Sequence, residues 1–152
     1  MIRAPALACL CIALCACSRP APEPAETGTA GRVVTFSPHL AEIMFAVGAG
    51  DQLVGVSAWS DYPRAVLELP EIGDAFTIDQ EQLSLLQPDL LLVWESGMPA
   101  HTVDDLRQRG YRVESIRSRN LEDVAAAVIR IGELTGRQTT ANVTAQRFTD
   151  EL

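Results

Sequence analysis

Leu90-Leu91-Leu92-Val93 is the most apolar run of the domain and the feature that most restricts its architecture. A strand with one wet face alternates apolar and polar residues. An unbroken run bounded by Pro88-Asp89 and by Trp94-Glu95 instead predicts a central parallel strand covered on both faces. Strands of that kind need helices on both sides, and the rest of the chain supplies them. Arg32 to Phe36 is a β-branched first strand. Ser37 can cap the helix that follows, Pro38 suits its first position, and Leu40, Ile43, Met44 and Val47 recur at helical spacing up to Gly48. A second strand is expected over Leu53 to Val56 and a short helix over Pro63 to Leu69. A helix over Asp79 to Leu86 is stopped by Pro88. After the apolar strand come a helix from Pro99 to Arg109, a strand from Arg112 to Ile116, and a helix with the stripe Leu121, Val124, Val128, Ile131 and Leu134 that ends at Gly136. The alternation predicts an α/β fold: a parallel four-stranded sheet flanked by helices, one Rossmann-like lobe over residues 32–137. Residues 138–152 form a last helix that stops abruptly at Leu152, as the start of a longer helix would.

The first 31 residues belong to a different class. Arg3 is followed by an apolar or small-residue run from Ala6 to Ala16, too short for a permanent membrane helix, so residues 1–16 read as an export signal. Leu14-Cys15-Ala16-Cys17 resembles a bacterial lipobox with Cys17 as the acylated residue, which predicts a lipid-anchored protein of the cell envelope. Without acylation the same segment would give a soluble secreted protein. All 4 cysteines lie at or before Cys17, so nothing beyond it forms a disulfide or a thiolate metal site. Residues 17–31 contain no large apolar side chain and read as a flexible tether.

The formal net charge is −8, or about −9 once Arg3 leaves with the signal, and all 12 basic residues are arginines without a basic run. That argues against a nucleic-acid partner. There is no nucleophile elbow, phosphate-binding glycine loop or histidine pair at metal spacing, so no catalytic residue, resident cofactor or metal ligand is assigned.

The stretch Gly55-Val56-Ser57-Ala58-Trp59-Ser60-Asp61-Tyr62-Pro63 runs from a buried strand into a loop that carries large flat side chains. A loop that merely turns uses small polar residues. Trp94, the other tryptophan, is expected just past its own strand. Both indoles are therefore expected at the strand edge where open α/β sheets bind ligands. Four of the eight aromatic residues, Trp59, Tyr62, Phe76 and Trp94, fall on that side. They predict an aromatic-lined cleft for a large flat ligand, against the alternative of ordinary packing beneath loops. Asp61 is either a hydrogen-bond acceptor for ligand amides, a brace for the loop, or a turn cap ahead of Pro63. His39 is expected as a solvated residue at a helix end rather than a ligand to cobalt or haem iron, and His101 as a surface residue. Asn142-Val143-Thr144 has the form of a glycosylation acceptor but is assigned no role.

Several motifs resemble, in order and spacing, those of the periplasmic cobalamin- and iron-chelate-binding proteins of ABC importers, whose two lobes are joined by one rigid helix. They are Phe36-Ser37-Pro38 with Glu42, the turn Ala46-Val47-Gly48-Ala49-Gly50, Gly73-Asp74-Ala75-Phe76, and Gln82-Leu83-Ser84-Leu85-Leu86-Gln87-Pro88-Asp89-Leu90. Val54-Gly55-Val56-Ser57 followed by Ser60-Asp61-Tyr62-Pro63 is similar to the cobalamin branch. The resemblance covers residues 32–152, the first lobe and the start of the joining helix. It implies cobalamin as transported ligand, with Ser37 and Pro38 on the first cleft loop and Trp59, Tyr62, Phe76 and Trp94 facing the ligand. It also implies that Glu81 pairs with arginines of the permease. The family often has Asn-Leu-Glu where this chain has Asp79-Gln80-Glu81.

Haem or an iron-siderophore on the same scaffold is the nearest alternative. Siderophore complexes are anionic, and Arg64 is the one arginine expected in the cleft loops, which favours a neutral ligand. An α/β enzyme with a small-molecule site at the strand ends, and a single-lobe interaction module, are the further alternatives.

Overall fold

A computed structural model describes residues 28–152. Cys17, the segment 1–16 and most of the expected tether lie outside the described residues.

Nine elements follow the order expected from the sequence: β1 (Val33–Thr35), α1 (Pro38–Ala46), β2 (Leu53–Gly55), α2 (Gln80–Leu86), β3 (Leu90–Trp94), α3 (Ala100–Gln108), β4 (Val113–Ile116), α4 (Leu121–Thr135) and α5 (Gln138–Asp150). The pairings within this sheet are parallel, in the order β2-β1-β3-β4. Pro63–Leu69 contributes a single 3-10 segment, Arg64–Glu68, rather than an α-helix.

Alternate residues of β3 serve opposite faces. Leu90 and Leu92 join Val33, Leu40, Met44, Val128 and Ile131 beneath α1, α4 and α5. Leu91 and Val93 join Val34, Leu83 and Leu106 beneath α2 and α3. The four residues Leu90 to Val93 are fully buried, as a doubly covered strand requires.

The helix ends obey local chemistry. The Asp79 carboxylate accepts the Gln82 amide at 2.9 Å and begins α2. Asn120 accepts the Asp123 amide at 2.7 Å and begins α4. Ser37 occupies the same position ahead of α1 with extended backbone, yet its side chain makes no capping bond, a departure from the expected cap whose cause lies in the site described below. The Pro-Asp junction before β3 also has a structural use: the Asp89 carboxylate accepts the amides of Gly31 and Arg32 at 3.0 and 2.8 Å. It thereby ties the entry of β1 to the entry of β3.

The end of the expected tether is seated on the lobe. Ala30 is 2% exposed and its amide donates to the Leu134 carbonyl at 2.8 Å. Small residues without a core-forming side chain still dock when the backbone finds an acceptor and a methyl fills a gap.

α4 and α5 cross closely at Gly132, where a Cβ would overlap that of Ala141. Their junction is tied to the segment before β2. Arg137 donates to both carboxylate oxygens of Asp51 at 2.9 Å, and Gln52 Nε2 donates to the Thr135 carbonyl at 3.1 Å.

Candidate functional site

The strand order creates a topological switch point. From β1 the chain passes to β2 on one side and then crosses to β3 on the other. The crevice at the carboxyl ends of β1 and β3 is where open α/β sheets receive ligands. Thr35 leads from β1 into Phe36-Ser37 there, and β3 ends there on Trp94.

Ser37, His39 and Trp94 form a connected group at this crevice. Ser37 Oγ and His39 Nδ1 are 2.6 Å apart, which is why the hydroxyl does not cap α1. His39 Nε2 lies 3.3 Å from Ser118 Oγ in the loop after β4. The imidazole meets the Trp94 indole edge to face, with ring centroids 5.5 Å apart and planes at 87°. His39 is thus half-buried and bonded at both nitrogens, not the solvated helix-end residue expected from sequence. Burial holds its pKa below the ordinary histidine value.

The neutral imidazole makes a prediction about pH. The unfolded chain takes up the proton first, near pH 6.5, so the contribution of His39 to stability is fully present above that value. It is lost as pH falls through the lower folded pKa. Thermal melts between about pH 7.5 and 5 should show a steeper acid limb for the parent protein than for His39→Gln, with Glu42 at the cavity rim present in both. Parallel limbs would show that His39 titrates as it does in the unfolded chain.

A cavity of about 570 Å³ opens beside this group, lined by His39 and Glu42 of α1, Tyr62, Trp94, Val124 of α4 and Phe148 of α5, among others. Its wall is mainly apolar, with His39, Glu42, Ser118 and Thr144 as polar lining. A second depression of similar volume lies along one face of α5, around Asn142, Gln146 and Arg147. It has a single helical wall and no aromatic ring, so the cavity at the switch point is the site.

The expected site residues divide into two groups. Ser37, Tyr62 and Trp94 come together at the crevice, with Pro38 at the first position of α1 beside them. Trp94 is the last residue of β3 itself, paired with Ile116, rather than a loop residue past it. Its Nε1 is buried without a hydrogen-bond partner among the described residues. Trp59 stands apart from the cavity lining. It lies four residues beyond β2 in a tight turn, at φ 68°, and is 85% exposed. Of the two indoles only Trp94 therefore lines the cavity, because only one ends its strand. Phe76 is 80% exposed at the tip of a small hairpin whose ends are Gly73 and Ile78. Gly73 is required there: its φ is 92° and a Cβ would overlap the Thr77 carbonyl oxygen. The Ala58 amide donates to the Gly73 carbonyl at 2.7 Å, so the Trp59 and Phe76 loops are tied together as one exposed rim. Asp61 is exposed on that rim, and the loop is braced instead by Ser57 Oγ and Ser60 Oγ at 3.3 Å. Glu81 is exposed in the first turn of α2, on the opposite face of the sheet from the cavity.

Sequence reasoning missed Ser118, Val124 and Phe148 as lining residues, and it undercounted arginines. The loop after β4 brings Arg117 and Arg119 to the same edge as Arg64. Arg117 pairs with Glu95 at 3.4 Å and Arg119 with Asp123 at 3.1 Å. The placement of β4 beside β3 was the available signal: any residue after Ile116 had to emerge at that edge.

The family model described as "Periplasmic binding protein" matches residues 33–152. The vitamin B12-binding protein of Vibrio cholerae is 31% identical over 146 residues, covering 96% of this chain and 51% of that protein. The crystal structure of the periplasmic vitamin B12 binding protein of Vibrio cholerae superposes with a TM-score of 0.74 at 32% identity, over 80% of this chain and 48% of that one. A periplasmic heme binding protein from Pseudomonas aeruginosa gives a TM-score of 0.73 at 27% identity, over 80% and 44%. The chain thus spans about half the length of the relatives it matches. With the family model matched across the whole sheet and the five α-helices of the described residues, this chain belongs to the periplasmic binding protein family.

Proposed function

We propose that this chain is the first lobe of a cobalamin-binding protein that serves an ABC importer, tethered to the cell-envelope membrane through an acylated Cys17. In this reading residues 32–137 form one wall of the cleft and α5 begins the helix that joins the lobes. The observation that carries it is the cavity at the β1/β3 switch point. It is mainly apolar, bounded by Trp94, Tyr62 and Phe148, and open to solvent, as half of a two-walled cleft would be. Rings of this size suit a corrin, because burial and dispersion scale with flat contact area. The relatives are binding proteins rather than enzymes, and capture here is non-covalent.

Charge at the edge supports a neutral, amide-rich ligand. Arg117 and Arg119 are already paired with Glu95 and Asp123. An anionic siderophore complex would have to draw those two arginines away from their carboxylates, leaving Arg64 as the third arginine of that edge. Haem is the second reading, favoured by the structural likeness to the Pseudomonas aeruginosa protein. Against axial ligation by His39 stands the engagement of both its nitrogens by Ser37 and Ser118.

The test is titration of the complete gene product with cyanocobalamin, followed by calorimetry and tryptophan emission. Saturable binding with quenching is expected. Emission and heat unchanged by cobalamin, with quenching by haem, would move the assignment to haem. A lobe expressed alone should bind much more weakly, since it offers about half of the contacts and must still meet the full cost of association. In the same reading Glu81 meets a permease arginine. Glu81→Ala should leave cobalamin affinity unchanged and lower uptake; equal uptake would remove that role.

A further inference from the structure

We propose that Gly97 is a positioning residue for Trp94: the absence of a side chain at 97 sets the pose of the indole and, through it, the shape of the cavity. The claim about ligand affinity rests on the cobalamin reading above, whereas the claim about the ring does not.

β3 ends on Trp94, and the chain turns back beneath the ring. The amides of Gly97 and Met98 both donate to the Trp94 carbonyl at 3.1 Å, so the turn is fixed to the residue whose side chain it supports. A Cβ at Gly97 would overlap Trp94 Cε3 and lie 2.9 Å from both Cδ2 and Cζ3. All three atoms belong to the six-membered ring of the indole, at its junction and along one edge, and the ring as a whole is backed by the core beneath α1 and α4. The backbone of Gly97 is outside the left-handed region, in contrast to Gly73. Its φ therefore does not call for glycine, and the three atoms nearest to its missing Cβ all belong to Trp94. Glycine at 97 is explained by the ring.

A second neighbour also constrains the indole. His39 stands at right angles to it and is held by Ser37 and Ser118. A ring displaced by a methyl at 97 cannot simply slide toward the imidazole. Close-packed interiors transmit such an intrusion rather than absorb it, so the indole must rotate outward into the cavity it lines. The ligand class implied is one that lies flat along an indole whose depth is set by a single missing methyl group. Narrowing the cavity there penalises a wide macrocycle more than a small ligand.

The experiment uses the complete gene product with Trp59 and every tryptophan outside this lobe replaced by Phe, so that Trp94 reports alone. Gly97→Ala is expected to red-shift Trp94 emission, raise its quenching by acrylamide, and weaken cyanocobalamin binding by about tenfold or more. In a Trp94→Leu background the same Gly97→Ala change should alter affinity by less than about twofold, because no ring remains to be displaced. Equal losses in the two backgrounds, or unchanged Trp94 emission, would overturn the proposal. If Gly97→Ala alone fails to fold while the double variant folds, a Cβ and the ring cannot coexist and the proposal stands. If the parent protein binds no cobalamin, the cobalamin reading fails, and Trp94 emission in Gly97→Ala still decides whether Gly97 positions the ring.

Discussion

Leu92→Ala is expected to cost about 2–5 kcal/mol of folding stability and to lower Tm by on the order of 10 °C or more. Leu92 is fully buried at the centre of the sheet, on the face beneath α1 and α4, and neither neighbouring strand can move in to fill the void. Leu91→Ala should cost a similar amount on the opposite face, beneath α2 and α3. The two variants differ in their reach. Leu92 shares its cluster with Trp94, so its loss should also alter Trp94 emission, whereas Leu91→Ala should leave that emission unchanged. Ile129→Ala, at a position 39% exposed on α4, serves as the control and should change stability by less than about 1 kcal/mol. Denaturant and thermal melts of the three variants check the assignment. A Leu92→Ala protein as stable as the Ile129→Ala protein would mean that β3 is not the doubly covered strand.

If cobalamin is the ligand as proposed, Trp94→Ala should weaken its binding by the complete protein by about 30-fold or more, the effect of removing a large ring from the wall of the cleft. Trp59→Ala should cost less, about fivefold or under, because a ring 85% exposed on the rim excludes less water when the ligand arrives. Calorimetry on both variants gives the comparison. Equal losses would mean that the exposed rim moves onto the ligand and that the cavity at the switch point is not its main seat.

The secondary structure was legible because this sequence is locally consistent. Capping residues, apolar periodicity and breakers agree at nearly every boundary: Asp79 and Asn120 begin helices, while Pro88, Gly110 and Gly136 follow their ends. The doubly buried character of β3 was legible in four adjacent apolar residues. Where expectation and structure part, a second partner had intervened. Ser37 has the residue type and position of a helix cap, but an imidazole two residues on takes its hydroxyl. His39 carries no motif, so its burial had no signature in the chain. The supposed equivalence of the two tryptophans failed because β2 is short: Gly55 ends it, and Trp59 is carried out on a turn.

The sequence by itself determined the alternation of strands and helices, the two-sided burial of the central strand and the membership of a binding-protein family. Those properties are written in neighbouring residues, at spacings of two to four, or in motifs that keep their order. Only the tertiary structure decided which side chains meet. Ser118 and Phe148 lie far along the chain from His39 and Trp94, and strand order and helix crossing bring them to one cavity. The same packing separates Trp59 from Trp94 and joins Gly97 to the indole. Contacts of this kind depend on strand length and ring orientation, which the whole packed core sets and no local pattern encodes.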